Sequence, residues 1–204
     1  MKKTLLTLAA AIAALSNTSA ETLTFDFKDP KGVNNIIFKL DAPLESINGT
    51  TTGISGAVTI DTANVGQVTG KIVVEAETLQ VPNPVMKEHL KGAKWLDMKT
   101  HPEIRFEIQE VKNTRREGDT GTADVKGLFT LKGVTKEITV PVKVTYLPGK
   151  LKARGGDKEG DLLVVRSNFK LNRSDFGIQP GEYTDKVSEE IDISLSLAGA
   201  APKE

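Results

Sequence analysis

Val187-Ser188-Glu189-Glu190-Ile191-Asp192-Ile193-Ser194-Leu195-Ser196-Leu197 decides the fold class. Val187, Ile191, Ile193, Leu195 and Leu197 share one parity, while Ser188, Glu190, Asp192, Ser194 and Ser196 share the other. A period of two places apolar groups on one face of a strand and polar groups on the opposite face. The same alternation recurs upstream in Leu23, Phe25 and Phe27, in Ile36, Phe38 and Leu40, in Ile54, Val58 and Ile60, and in Ile72, Val74 and Ala76. It returns in Ile104, Phe106 and Ile108, in Val125, Phe129 and Leu131, from Ile138 to Tyr146, and in Leu163, Val165, Phe169 and Leu171. Eight or nine strands with mostly short connections imply antiparallel hairpins, each wet on one face only. A closed up-and-down barrel and a sandwich both meet that count; closure is favoured because it removes exposed edges.

One segment breaks the pattern. Asn83-Pro84 reads as a helix N-cap with proline at the first helical position, and Gly92 sits where a terminating glycine belongs. The spacing predicts a helix of about two turns over 84–91, dependent on the sheet for support.

The N-terminus carries a separate signal. Lys2 and Lys3 precede an apolar run from Leu5 to Leu15, and Thr18-Ser19-Ala20 supplies small residues before Glu21. That is the pattern of an export signal cleaved after Ala20. The run is shorter than the roughly 20 residues a spanning helix needs, so no transmembrane anchor is expected. The expected organisation is a cleaved signal at 1–20, one β-barrel domain at 21–198 and a disordered tail at 199–204.

Removing the signal leaves 184 residues with 25 basic and 27 acidic side chains. Interspersed charge of that balance gives no electrostatic case for nucleic acid or anionic lipid surfaces. The chain has no cysteine, so no disulfide supports the core and no acylated cysteine tethers the product. A bacterial periplasm is the expected compartment.

The catalytic inventory is poor. His89 and His101 fall on different elements without a metal-ligand spacing, and Gly53-Ile54-Ser55-Gly56-Ala57 lacks the last glycine of a nucleophile elbow. Asp157, Glu159 and Asp161 begin like a calcium loop, but no acid follows between Ser167 and Leu171. The chain is expected to be no enzyme and to need no cofactor or metal.

What remains is an apolar lining. In a barrel closed with its apolar parity inward, Phe38, Leu40, Val58, Ile60, Ile72, Val74, Phe106, Phe129 and Phe169 point toward the axis. Gly127 shares the parity of Val125 and Phe129 and is expected to leave room there, enough that Gly127→Phe would fill the site without unfolding the strand. Eight strands make a barrel whose interior is either just filled or holds one ligand.

Three stretches resemble the YceI-like family. They are Met86 to Gly92 followed by Trp95 to Met98 and Thr100 to Phe106; Gly127-Leu128-Phe129-Thr130-Leu131-Lys132-Gly133-Val134-Thr135-Lys136; and Asn172 to Ile178 with the strand from Val187. The resemblance implies an all-β, extended antiparallel lipocalin-like barrel with one short helical insertion. It also implies a periplasmic or secreted protein that binds a long-chain isoprenoid or other amphiphilic lipid in its interior. Whether two barrels pair as a homodimer stays open. Two departures, Asp41-Ala42-Pro43 and Trp95-Leu96, fall where the tunnel mouth is expected. The competing expectation is a filled, non-enzymatic module acting through surface loops such as Thr114 to Gly121.

Overall fold

The computed structural model describes residues 22–61, 67–155 and 157–203; the export signal read at 1–20 lies outside them. Ten strand segments follow in order: β1 (Thr22–Asp26), β2 (Asn35–Asp41), β3 (Ser46–Thr51), β4 (Ile54–Asp61), β5 (Val68–Glu75), β6 (Glu103–Glu117), β7 (Thr120–Leu131), β8 (Val134–Leu147), β9 (Gly160–Asn172) and β10 (Glu190–Pro202). All pairings are antiparallel. β4 through β10 run as successive neighbours, and β10 then pairs with both β2 (Ile193 opposite Phe38) and β1 (Ala200 opposite Asp26). β4 flanks β1 and β3 flanks β2, so β1 with β2 and β3 with β4 each form one interrupted stave. The ten segments therefore close an eight-stranded antiparallel barrel.

The break between β1 and β2 is repaired by a side chain. Asn34, only 2 % exposed, donates from Nδ2 to the Phe27 and Ala198 carbonyls at 3.0 and 3.1 Å and accepts the Ala198 N–H at 2.8 Å. Its amide thus supplies the rung that the chain leaves out along β10, where an unpaired backbone group would be costly. Asp29 fixes the same turn by accepting the N–H groups of Val33 and Asn34 at 2.8 and 2.7 Å and pairing with Arg154 at 2.9 Å.

A second irregularity is a seam. β8 and β9 pair only from Lys143 to Leu147 against Leu162 to Arg166. Beyond that, Pro141 has no N–H to donate, and the Ser167 hydroxyl bonds the Pro141 carbonyl instead. A 3₁₀ turn, Arg173–Phe176, packs against both strands there, and its Phe176 meets Phe129 edge-on at 5.5 Å.

Helix α1 (Pro84–Lys91) lies where its caps put it: Asn83 Oδ1 accepts the N–H groups of Val85 and Met86 at 2.9 and 3.2 Å. Gly92 ends the helix with φ −68°, so it closes the turn in an extended conformation, not a left-handed one. With β2–β3 and the segment after β9, α1 covers one end of the barrel, hereafter the helix end. The β6–β7 hairpin marks the opposite, hairpin end.

The apolar interior forms two clusters. One gathers Leu79, Leu96, Met98, Leu131, Leu171 and Phe176 at the helix end; the other gathers Phe25, Phe27, Val58, Val74, Leu163 and Leu197 toward the hairpin end. Charged pairs such as Lys126–Glu137 (2.9 Å) and Lys170–Asp192 (3.4 Å) lie on the outside. The expected tail at 199–204 is a correction: β10 continues to Pro202, with Gly199 to Pro202 paired to Leu163 to Gly160. The Ala-Gly composition that reads as a tail has a packing cause. A Cβ on Gly199 would stand 2.8 Å from the Phe27 ring, so two large aromatics demand small residues opposite them.

Candidate functional site: the barrel interior

The barrel encloses one continuous cavity of about 1160 Å³. Its lining runs from Trp95 and Tyr183 at the helix end to Arg116 and Thr120 at the hairpin end. That volume exceeds the roughly 300–1,000 Å³ typical of small-molecule pockets.

Strand parity builds the wall. Phe38 and Leu40 reach in from β2, Val58 and Ile60 from β4, Ile72 and Val74 from β5, Phe106 from β6, Phe129 from β7 and Phe169 from β9. Nine of the ten residues chosen from sequence therefore face the cavity. Gly127 does not. Its Cβ position is 2.5 Å from the Glu107 carbonyl oxygen and 2.6 Å from Phe106 Cζ, so the space beside this glycine already holds the Phe106 ring. Parity gave the correct side of the strand but not the neighbour that covers it.

The same parity carries further lining that had not been singled out: Val140, Val142, Val144 and Tyr146 from β8, and Ile191, Ile193, Leu195 and Leu197 from β10. Met86, His89 and Leu90 come from α1. Tyr183 comes from the loop between Gly177 and Glu189, where no periodicity points to it.

Some polar groups on the wall are engaged by neighbours. Thr51 is bonded to Thr78 through their hydroxyls at 2.6 Å. Arg173, 1 % exposed, donates to the backbone carbonyls of Ile178 (2.9 Å), Ser188 (3.1 Å), Gln179 and Glu182. It also lies 3.4 Å from Glu189. One buried guanidinium thus ties down the mouth loop with a fan of donors that lysine could not reproduce. Burial pushes the Glu189 carboxyl up, but the hydroxyl and N–H of Ser174 and the Arg173 charge outweigh it and hold the group below its ordinary value.

The two histidines stand apart. His89 lines the cavity from α1, whereas the His101 ring packs over Gly133. Among the described residues no three His, Cys, Asp or Glu side chains are grouped to hold a metal ion. No helix among them is long and apolar enough to cross a membrane.

The expected mouth departures sit at the helix end, where Trp95 lines the cavity and stacks near Tyr183 at 6.4 Å, and where Asp41 to Pro43 lead into the β2–β3 turn.

Comparison with known proteins agrees with this architecture. A UPF0312 protein of Pseudomonas putida strain W619 is 31% identical over the full length of both chains, and one of Pseudomonas aeruginosa strain PAO1 is 29% identical over 98% of each. Among solved structures, Burkholderia cenocepacia BcnA superposes with a TM-score of 0.65 at 20% identity, covering 81% of this chain and 95% of its own. A polyisoprenoid binding domain from Saccharophagus degradans superposes with a TM-score of 0.63 at 12% identity, covering 89% of this chain and all of its own. The family model of the YceI-like domain matches residues 17–198. The chain belongs to the YceI-like domain family.

Proposed function

We propose that this protein is a periplasmic carrier that holds a long apolar chain in its barrel: a polyisoprenoid, an isoprenoid quinone or a fatty-acid-like amphiphile. The observation that carries the reading is the hollow interior, about 1160 Å³ walled by aliphatic and aromatic side chains. Each buried methylene is worth roughly 0.8 kcal/mol, so ten contribute about 8 before the costs of ordering are deducted. An all-carbon chain needs no charged partner, and the wall supplies few free polar groups. The likeness to a polyisoprenoid binding domain favours an isoprenoid among the candidate chains. Export through cleavage after Ala20, carrier action without catalysis, and contact of Phe38, Leu40, Val58, Ile60, Ile72, Val74, Phe106, Phe129 and Phe169 with the chain belong to the same reading. The open interior weighs against a filled module that acts only through its surface.

Native mass spectrometry after mild purification from the native host tests it. The expected result is a protein carrying one apolar chain of definite mass. Apo protein that takes up no prenyl or fatty chain would overturn it.

A further inference from the structure

Five large apolar side chains stand exposed among the described residues: Val33, Ile37, Leu44, Val85 and Tyr183. Val33 and Ile37 sit apart on the β1–β2 connection and on β2, as single apolar surface residues commonly do. The other three gather at the helix end, one on each of three segments that frame the cavity mouth. Leu44 (67 % exposed) is in the β2–β3 turn, Val85 (62 %) is on α1, and Tyr183 (53 %) is on the loop after Gly177.

Each of these segments also sends residues inward: Glu45 from the turn, Met86 and Leu90 from α1, and Gln179 and Val187 from the loop line the cavity, with Ile47 beside them on β3. The segments are joined: the Leu44 N–H donates to the Asp185 carbonyl at 2.9 Å, and Tyr183 lies against Trp95. Tyr183 itself both lines the cavity and stands exposed, so its ring links the wall to the rim. Its backbone is left-handed (φ 57°), a costly conformation for a bulky residue, and it is kept where the ring reaches the rim.

We infer that this rim is a membrane-docking surface: Leu44, Val85 and Tyr183 enter the interfacial layer of a bilayer so that the apolar chain passes between lipid and cavity without crossing water. The inference rests on the carrier reading and goes beyond it by naming the mouth and the surface it meets. A bilayer is the occupant because the cargo dissolves there. Exposing that cargo to water would cost about 0.8 kcal/mol per methylene, which a mouth seated on the bilayer avoids. A tyrosine beside a tryptophan at the mouth suits the headgroup level. Charges near the rim are mixed, with Lys87, Lys94 and Lys186 against Glu45, Glu88 and Asp185. Docking is therefore driven by apolar insertion and proceeds on a zwitterionic surface with little dependence on salt.

The test measures transfer of a fluorescent long-chain prenyl alcohol from phosphatidylcholine vesicles to the protein, beside uptake of decanol from solution. Leu44→Asp with Val85→Asp is the test variant, since neither residue lines the cavity; Val33→Asp with Ile37→Asp is the control. The expected result is transfer from vesicles slowed about tenfold or more in the rim variant only, since aspartate opposes insertion. Decanol uptake is unchanged in both, and added salt leaves wild-type transfer unaltered. Equal vesicle transfer by rim variant and wild type, or equal slowing by the control, overturns the docking surface. So does a wild type that takes up decanol but extracts nothing from vesicles. A wild type that takes up neither overturns the carrier reading itself.

Discussion

Gly127 shows how far a single residue can be read from sequence. Its parity is inward, and it is buried beside Val125 and Phe129 on β7. The inference that it leaves room for a ligand fails because the Phe106 ring lies across it. Gly127→Phe is thus expected to disrupt packing, not to plug the tunnel. Even Gly127→Ala puts a methyl 2.5 Å from the Glu107 carbonyl and 2.6 Å from Phe106, which overpacks the wall. We predict that Gly127→Ala lowers the unfolding free energy by about 1–3 kcal/mol, read as a lower urea midpoint at unchanged slope. An unaltered midpoint would mean that the Phe106 ring moves aside freely. The nine other chosen residues were legible because alternation fixes which face a side chain takes; what lies opposite depends on pairings across strands, which alternation does not encode.

At the scale of elements, local signals were readable and long-range ones were not. Helix α1 was legible from Asn83, Pro84 and Gly92 because capping acts within one turn. The mouth loop was not, since Arg173 holds it from outside, and the β1–β2 break is repaired by Asn34 reaching Ala198. Three carboxylates fasten the irregular connections to the barrel. Burial raises the Asp29 pKa, but the N–H groups of Asn34, Lys31 and Val33, with the Arg154 charge, bring it below the ordinary 3.8. For Asp161 burial is likewise outweighed, by the Tyr146 hydroxyl, the Gly149 N–H and Lys203. Glu189 is held below 4.5 by Ser174 and Arg173. A depressed folded pKa contributes stability above the unfolded value, and that contribution disappears as pH falls through the folded value. Stability is therefore expected to hold steady above about pH 5 and to decline below about pH 4. Urea unfolding across that range checks it. Asp29→Asn, Asp161→Asn and Glu189→Gln together should lower stability at neutral pH and shrink the acid loss; a variant with the same acid loss as wild type would contradict the assignment.

For the whole molecule, the barrel followed from counting alternating strands, but its ten segments folding into eight staves did not, because the interruptions within β1–β2 and β3–β4 look like ordinary turns in sequence. The sandwich alternative fails because β10 closes the sheet onto β1 and β2. Nor could the sequence distinguish a filled barrel from a hollow one: inward aliphatic residues serve both, and the difference depends on how far opposite walls stand apart. The cavity of about 1160 Å³ answers that for the molecule and makes the central claim measurable. Binding of a series of straight-chain alcohols of increasing length, titrated at fixed temperature, tests it most directly. Affinity is expected to rise roughly tenfold for every two methylenes while the chain is still being buried, then to level off once the tunnel is occupied. Affinity that is flat from the shortest chain onward would show that no tunnel receives the chain.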